Sequence, residues 1–207
     1  MFFLVTRPRY DPVTHYLYHW MGMLLVEAKR KKIPFIDIEK GEVEKTRVRS
    51  YIEKQSPNLI ILNGHGNDNS VAGDDNKDIV SITDDLKIFK GKKMYVRSCT
   101  SGRNLGPEIV KNGCVGFIGY QDSFFFAVQE DSESFRDPTT DDLAGVCLAP
   151  SNTIAEALIK GSTIREAHEK GIKASQEMLD KLQVSSSYNS QFAPFLYWNM
   201  INQVCYE

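Results

Sequence analysis

A histidine and a cysteine each follow an apolar stretch of this chain, and their pairing is the sequence's strongest indication of chemistry. His65 follows the apolar segment 58–62 between two glycines, and Cys99 directly follows the segment 93–98. A thiol becomes nucleophilic as its thiolate, which a neighbouring base or positive charge favours. If the two segments are adjacent parallel strands, about 5 Å apart, the imidazole comes within reach of the thiol. We therefore predict a nucleophile–base pair, with the N–H groups of Gly66 and Cys99 as donors to an oxyanion.

Each of these two residues has a simpler interpretation when it is considered alone. A cysteine at a strand end is most often a small buried hydrophobic residue. A histidine in a loop is equally unremarkable. The catalytic interpretation rests on finding both at the same end of neighbouring strands, each with a glycine within three residues.

The segments that must position this pair alternate between strand and helix patterns. The predicted strands of the first half are 2–6, 34–38, 58–62, 93–98 and 115–120, with a shorter one at 79–82. Helices are predicted at 14–32, 42–54 and 105–112, with Thr14 as the N-cap of the first. This alternation predicts an α/β fold with a mostly parallel central sheet and helices on both faces. Ligands bind beyond the carboxyl ends of the strands in such sheets, where both residues of the pair are expected.

The second half of the chain is predicted to be mainly helical. Helices are expected at 141–148, 153–160 and 164–182, followed by a final strand within 194–205. A long polar loop covers 129–142, and the Ser-rich composition of 184–191 predicts a flexible linker. Because no internal repeat or low-complexity tract divides the chain, we predict one domain over residues 1–207.

Composition excludes several classes of protein. The 25 Lys and Arg against 27 Asp and Glu give a net charge of −2, which argues against a general nucleic-acid binder. The four cysteines are too few and too widely spaced for a disulfide scaffold or a zinc site. The apolar start is interrupted by Arg7 and is too short for a signal peptide, and no stretch is long enough to span a bilayer. We expect a cytoplasmic protein with reduced thiols and no membrane partner.

The segments LIILNGHGN and MYVRSCTSG, followed by VGFIGY, make the chain resemble the caspase/gingipain superfamily of cysteine peptidases (clan CD). The shared signature is an apolar block ending in His-Gly and a second apolar block ending in Cys. The resemblance covers residues 1–120 well and the remainder loosely. The interval from His65 to Cys99 is 34 residues, shorter than the ~50 of caspases, and the caspase pentapeptide is absent. The chain is therefore more similar to the bacterial CHAT-type and gingipain-like members.

The resemblance implies a three-layer caspase-like fold and a cysteine endopeptidase. We expect no cofactor, with calcium as the open alternative. Cys99 would form a thioester with the substrate, while His65 would protonate the leaving amine and activate water. No third residue is expected to orient the histidine. Relatives of this type are regulated proteases of bacterial defence, cell-death or signalling pathways. The implied partners are a protein or peptide substrate and a regulatory sensor or inhibitor protein, and the 129–142 loop is the candidate regulatory lid or processing site.

A substrate pocket is also expected from the resemblance. The residues assigned to it are Arg97, Arg7, Arg9, Asp11, Gln121 and Asp122. In the superfamily, the residue two positions before the cysteine lines the pocket for the residue preceding the cleaved bond. That residue is Arg97, which favours an acidic substrate side chain, helped by the arginines after the first strand. Alternatively, Asp11 or Asp122 receives a basic substrate side chain or pairs with Arg97.

Two further interpretations remain open at this stage. The Asp-rich segment 68–78 is either a calcium site or, as we prefer, a solvated hairpin loop, since it lacks EF-hand spacing. The whole chain could also be a catalytically silent or regulatory caspase-like binding module, although such copies often lose one of the two chemical residues. A nucleotide-binding protein is disfavoured because the loop RPRYDP has no glycine to hold a phosphate.

Overall fold

The computed structural model of the chain describes residues 1–184 and 188–207. The strands are β1 (Phe3–Arg7), β2 (Phe35–Glu39), β3 (Leu59–Asn63), β4 (Gly66–Asn67), β5 (Ser70–Ala72), β6 (Asp78–Ser81), β7 (Lys93–Arg97), β8 (Gly116–Tyr120) and β9 (Gln203–Tyr206). The α-helices are α1 (Pro12–Arg30), α2 (Lys45–Gln55), α3 (Leu105–Lys111), α4 (Ser132–Arg136), α5 (Asp142–Ile159), α6 (Ile164–Val184) and α7 (Ala193–Asn202).

Six strands form the central sheet in the order β2-β1-β3-β7-β8-β9. The first five are parallel, and only β9 is antiparallel, pairing with β8 at the edge. Strands β3 and β7 are in register from Leu59 opposite Lys93 to Asn63 opposite Arg97. A separate three-stranded antiparallel sheet, β4-β5-β6, follows β3 along the chain. The prediction of an α/β fold with a mostly parallel sheet is therefore confirmed.

Both faces of the central sheet are covered. On one face Leu4, Ile60 and Met94 pack against the α2 and α3 side of the molecule, while their strand neighbours pack in a second core with α1, α5 and α6. All five residues of β3 are buried, which explains why its sequence is continuously apolar rather than alternating. The result is three layers, helix–sheet–helix, with the strand ends of β3 and β7 in the middle of the sheet.

The predicted final strand over 194–205 is mostly wrong. Residues 193–202 form α7, with Pro194 in its first turn, and only Gln203–Tyr206 form a strand. A proline fits the first turn of a helix because its missing N–H would have no helical partner there. The apolar run PFLYWNMIN suits either kind of buried element, and its periodicity alone does not decide between them.

Two of the differences between predicted and observed helix boundaries have a clear physical cause. The first helix begins at Pro12 and is capped by Asp11, while Thr14 supplies the reciprocal bond of a capping box. The two helices predicted at 141–148 and 153–160 are one helix, α5, which continues through Pro150. Most of α5 is buried, so its packing offsets the backbone hydrogen bond that the proline removes.

The polar 129–142 loop is partly ordered by contacts with α1. It contains α4 and a 3₁₀ turn at Pro138–Thr140. The Trp20 indole N–H donates to the Pro138 carbonyl at 2.8 Å, and the Tyr16 hydroxyl donates to the Asp141 carboxylate at 2.8 Å. The predicted flexible linker at 184–191 lies partly outside the described residues, and Tyr188–Phe192 form a 3₁₀ helix.

Candidate active site

His65 lies immediately beyond the carboxyl end of β3. The chain leaves the strand at Gly64, whose φ of +148° suits a residue without a Cβ atom. The Gly64 N–H donates to the Arg97 carbonyl at 3.3 Å, which ties the end of β3 to the end of β7. The His65 carbonyl accepts from the Ala72 N–H at 2.9 Å, so the histidine also begins the β4–β5 hairpin. Its position is thus fixed by both sheets.

Cys99 occupies the corresponding position beyond β7. It is a partly exposed free thiol, followed by Thr100 in the left-handed backbone region with φ of 51°. The Thr100 N–H donates to the Asp122 carbonyl at 3.2 Å, and the Gly102 N–H donates to the Tyr120 carbonyl at 2.8 Å. These bonds hold the cysteine loop against the end of β8. A β-branched residue with positive φ is uncommon and marks a constrained turn directly after the thiol.

The two loops meet through Gly66 and Ser98. A Cβ atom built on Gly66 would lie 2.7 Å from the Ser98 hydroxyl and 2.9 Å from the Ser70 carbonyl oxygen. His65 and Cys99 each lie two positions past a pair of residues that are aligned in the sheet, Asn63 and Arg97. The histidine and the cysteine therefore both follow the carboxyl ends of neighbouring, aligned strands.

The carboxylate of Asp11 contacts the candidate base. The His65 Nε2 lies 2.6 Å from the Asp11 Oδ2, and the two side chains are 34% and 29% exposed. A carboxylate accepts, so neutral His65 donates its Nε2–H to Asp11 and keeps Nδ1 as the basic nitrogen. Asp11 also accepts from the Thr14 backbone N–H at 2.7 Å as the N-cap of α1. Burial by itself raises the pKa of Asp11, but the hydrogen bonds from Thr14 and His65 outweigh it and lower the pKa below its ordinary value.

The sequence predicts no orienting residue and assigns Asp11 only to the substrate pocket, whereas in the structure Asp11 contacts His65. The sequence does contain a signal for the position of Asp11, because Asp followed by Pro after a strand is typical of a helix start. What the sequence could not supply was the strand order. Only because β1 lies next to β3 does the loop after β1 reach His65.

A cavity of about 550 Å³ opens beside His65. Its lining residues are Tyr10, Asp11, His65, Gly66, Asn67, Ser70, Ala72, Asn76 and Asp78. They come from the loop after β1, from the β4–β5 hairpin and from the start of β6. The Asp78 carboxylate accepts from the Ser70 hydroxyl at 2.8 Å.

Arg97 does not line an accessible pocket, which corrects the sequence-based expectation. Its side chain is fully buried and donates to the Asn63 side-chain oxygen from Nε at 3.0 Å and from Nη2 at 2.8 Å. Its Nη1 donates to Ser151 at 2.9 Å and to Asn152 at 2.8 Å, both on α5. Burial lowers the pKa of Arg97, and its hydrogen-bond partners are uncharged. The alternative, an ion pair of Arg97 with Asp11 or Asp122, is also not found among the described residues. Asp11 contacts His65, and Asp122 pairs with Arg103.

Arg7, the last residue of β1, and Arg9, in the loop after it, have partners other than His65, which corrects a second expectation. Arg7 is buried, pairs with Asp37 and Glu39 of β2, and stacks on the Tyr18 ring at 4.1 Å. Arg9 donates from Nε to the His15 Nδ1 at 3.0 Å. Both guanidinium groups are therefore engaged with α1 or β2. Neither lines the cavity beside His65.

Gln121 and Asp122 lie beside the cysteine loop. Asp122 accepts from the Arg103 Nη2 at 2.9 Å, and the Gln121 carbonyl accepts from the Arg103 Nε at 2.6 Å. Arg103 also lies 3.5 Å from Asp68 in the β4–β5 turn, so it links three loops around the site. Sequence reasoning missed this arginine, because the network depends on which loops the sheet brings together.

The Asp-rich segment 68–78 forms the β4–β5–β6 hairpins. Its carboxylates have separate partners: Asp74 accepts from the Val43 N–H at 2.8 Å, and Asp75 pairs with Lys77 at 3.3 Å. Among residues 1–184 and 188–207, no group of three His, Cys, Asp or Glu side chains is placed to hold a metal ion.

The four cysteines are all free, and they differ in environment. Burial raises the pKa of the Cys114 thiol to about 11 and that of the Cys147 thiol to about 12. Burial also raises the pKa of the Cys205 thiol. None of the helices in the described part of the chain combines the length and apolar character needed to cross a membrane.

Comparison with known proteins gives a likeness in structure alone. No protein-family model matches the chain, and no curated protein matches it in sequence. The complex of the pro- and mature domains of RgpB from Porphyromonas gingivalis superimposes with a TM-score of 0.60 at 11% identity over 98% of this chain. The Arg-specific cysteine proteinase gingipain R (RgpB) gives 0.57 at 12% identity over 99%. The chain spans about half the length of these proteins, 46% and 45%. At this identity the comparison establishes the fold: the chain has the caspase-like α/β fold of the gingipain cysteine proteinases.

Proposed function

We propose that this protein is a cysteine endopeptidase with Cys99 as nucleophile and His65 as general acid and base. The observations that support the proposal are that His65 and Cys99 each follow the aligned ends of β3 and β7 by two residues, and that Asp11 is hydrogen-bonded to the imidazole at 2.6 Å. A binding module would need neither the partly exposed thiol nor an oriented base.

The reaction follows from the roles of these three residues. His65 Nδ1 takes the Cys99 proton, and the Asp11 carboxylate stabilises the resulting imidazolium through Nε2–H. The thiolate attacks the substrate carbonyl carbon, and the C–N bond then breaks as His65 returns its proton to the leaving amine. His65 next removes a proton from water, which attacks the thioester, releases the carboxylic acid and restores the thiol.

The developing oxyanion has candidate donors in the Gly66 and Cys99 N–H groups. The His65 carbonyl bonds the Ala72 N–H, so the next pair of the hairpin, Gly66 opposite Val71, is a non-hydrogen-bonded pair. At such a position the N–H points away from the partner strand. Because β4 is the edge of its sheet, that N–H is available to a bound carbonyl oxygen.

The buried position of Arg97 removes the main reason for expecting an acidic residue before the cleaved bond. Fluorogenic peptides that differ only in Asp, Arg or Leu before the bond will measure this preference. They also provide the first substrates for the activity test below.

Two measurements test the proposed peptidase. A cysteine-directed covalent probe, followed by peptide mapping, is expected to label Cys99 before Cys114 and Cys147, whose burial keeps their thiols protonated. In the fluorogenic panel, Cys99→Ala is expected to abolish cleavage, whereas Cys205→Ala, which removes another partly exposed free thiol, retains it. Cleavage that survives in Cys99→Ala would reject the mechanism.

The proposal extends to biological setting. We propose a regulated protease of a bacterial defence, cell-death or signalling pathway, similar to CHAT-type or gingipain-like domains and controlled by a sensor or inhibitor protein. All four cysteines are free thiols, which favours a reducing compartment such as the cytoplasm. Regulation through the 129–142 loop is supported by its position. Phe135, Pro138 and Asp141 of this loop bond to α1, the helix that Asp11 caps, so a movement of the loop would be felt near Asp11.

A further inference from the structure

The cavity beside His65 has a defined place relative to the reaction, and this inference rests on the proposed peptidase function. The sheet order places β3 between β7 and β1. The attacked carbonyl must lie at Cys99, beyond β7, and the leaving nitrogen must lie within reach of His65, beyond β3. The part of the substrate that follows the cleaved bond therefore continues towards β1. The cavity opens there, since Tyr10 and Asp11 from the loop after β1 line it and Cys99 does not.

The cavity has the size of a ligand site and is electronegative. Its volume of about 550 Å³ falls within the ~300–1,000 Å³ of typical small-molecule pockets. Its lining contains the carboxylates of Asp11 and Asp78 and no lysine or arginine.

Asp78 is the carboxylate best placed to meet a ligand. Asp11 is already engaged, since it accepts from Thr14 and from His65. Asp78 is exposed, accepts from the neutral Ser70 hydroxyl through Oδ1 and forms no ion pair with the residues that the structure describes. Its charge is therefore not neutralised by a neighbouring cation.

We propose that this cavity binds the residue directly after the cleaved bond and prefers a lysine or arginine side chain there, with Asp78 as the specificity-determining carboxylate. The cationic side chain would be recognised by carboxylate, amide and hydroxyl oxygens. The cavity would thus set the preference for the residue after the cleaved bond, independently of the residue that precedes the bond.

Internally quenched peptides that differ only in the residue after the bond (Lys, Gln or Glu) test the proposal. We expect kcat/KM for the Lys peptide to exceed that for the Gln peptide by roughly fivefold, and that for the Glu peptide by a larger factor, as for a partly solvated ion pair. Asp78→Asn keeps an acceptor for Ser70. It should lower the ratio of kcat/KM for Lys to kcat/KM for Gln to a value between about 1 and about 2. Asp75→Asn is the matched control: Asp75 lies in the same loop, pairs with Lys77 and does not line the cavity, so the ratio should persist.

A second measurement separates this inference from the proposed function. Tripeptides with the sequences Lys-Ala-Ala and Gln-Ala-Ala represent the leaving product, and NMR titration measures their binding to Cys99→Ala, which needs no catalysis. We expect tighter binding of the lysine peptide, lost in the additional Asp78→Asn variant. Equal binding of the two peptides, equal cleavage of Lys and Gln substrates, or an unchanged ratio in Asp78→Asn would each overturn the proposal. Peptidyl aminocoumarins have no residue after the bond, so their cleavage reports the peptidase function alone.

Discussion

At the scale of single residues, Asp11 combines two roles that a carboxylate can perform together. One oxygen caps the first turn of α1, and the other receives the Nε2–H of His65. Because the cap fixes the carboxylate to a helix, the imidazole is oriented by a rigid element rather than by a mobile side chain. Substitution by Asn preserves a capping oxygen while removing the charge, which makes it the informative change.

The lowered pKa of Asp11 predicts a specific dependence of stability on pH. The ordinary pKa is 3.8, and the folded value lies below it, so the unfolded state binds the proton more tightly. The charged carboxylate therefore stabilises the fold at neutral pH, and this contribution is lost as the pH falls below about 4, through the folded pKa. We expect Asp11→Asn to lower the free energy of unfolding at pH 7 and to differ less from wild type at pH 3.

Urea denaturation of both proteins at the two pH values measures this. The difference between wild type and variant is compared, so titrating groups distant from Asp11 cancel. A difference that stays constant or grows towards pH 3 would contradict the assigned hydrogen bonds of Asp11.

At the scale of elements, the β4–β5 hairpin fits against the cysteine loop only because position 66 is glycine. A methyl group there would meet the Ser98 hydroxyl at 2.7 Å and the Ser70 carbonyl oxygen at 2.9 Å. The carbonyl belongs to the paired strand and cannot move aside without breaking the hairpin. The close approach of the two loops therefore depends on the absence of a side chain.

We predict that Gly66→Ala lowers the free energy of unfolding by about 1–3 kcal/mol, the usual cost of overpacking, and lowers activity by separating the loops. Gly22→Ala is the matched control: it lies within α1, where a Cβ would meet only Arg7 Nη1 at an ordinary 3.5 Å. Alanine should stabilise that helix position by roughly 0.5–1 kcal/mol. Thermal unfolding distinguishes the two, and equal effects would argue against the close contact at Gly66.

At the scale of the whole molecule, Arg97 joins the carboxyl edge of the central sheet to the helical second half. Its guanidinium bonds Asn63 on β3 and Ser151 and Asn152 on α5. Asn152 in turn donates to the Trp20 carbonyl of α1 at 2.8 Å. Through these bonds Asn63 and Arg97, which lie two positions before His65 and Cys99, are tied to α5 and, through Asn152, to α1.

We predict that Arg97→Met destabilises the fold by about 2–4 kcal/mol, because the buried oxygens of Asn63, Ser151 and Asn152 lose their donors. Arg103→Met is the control, since Arg103 is 44% exposed and its ion pairs with Asp68 and Asp122 are worth less than about 1 kcal/mol. Urea denaturation of the two variants gives the comparison. Equal losses would show that Arg97 contributes no more than a surface charge.

The sequence alone predicted the fold class, which the structure confirms, and singled out His65 and Cys99 as the candidate pair. Continuous apolar runs ending in GHG and SC are local features, since a strand buried on both faces is apolar throughout and its end is marked by glycine and polar residues. Tertiary structure decided the surroundings. Whether Arg97 faces a pocket or α5, and whether Asp11 meets a substrate or His65, depends on strand order and on helix packing across the sheet. Those contacts join residues that are 34 to 55 positions apart in the sequence, and no local pattern encodes such separations.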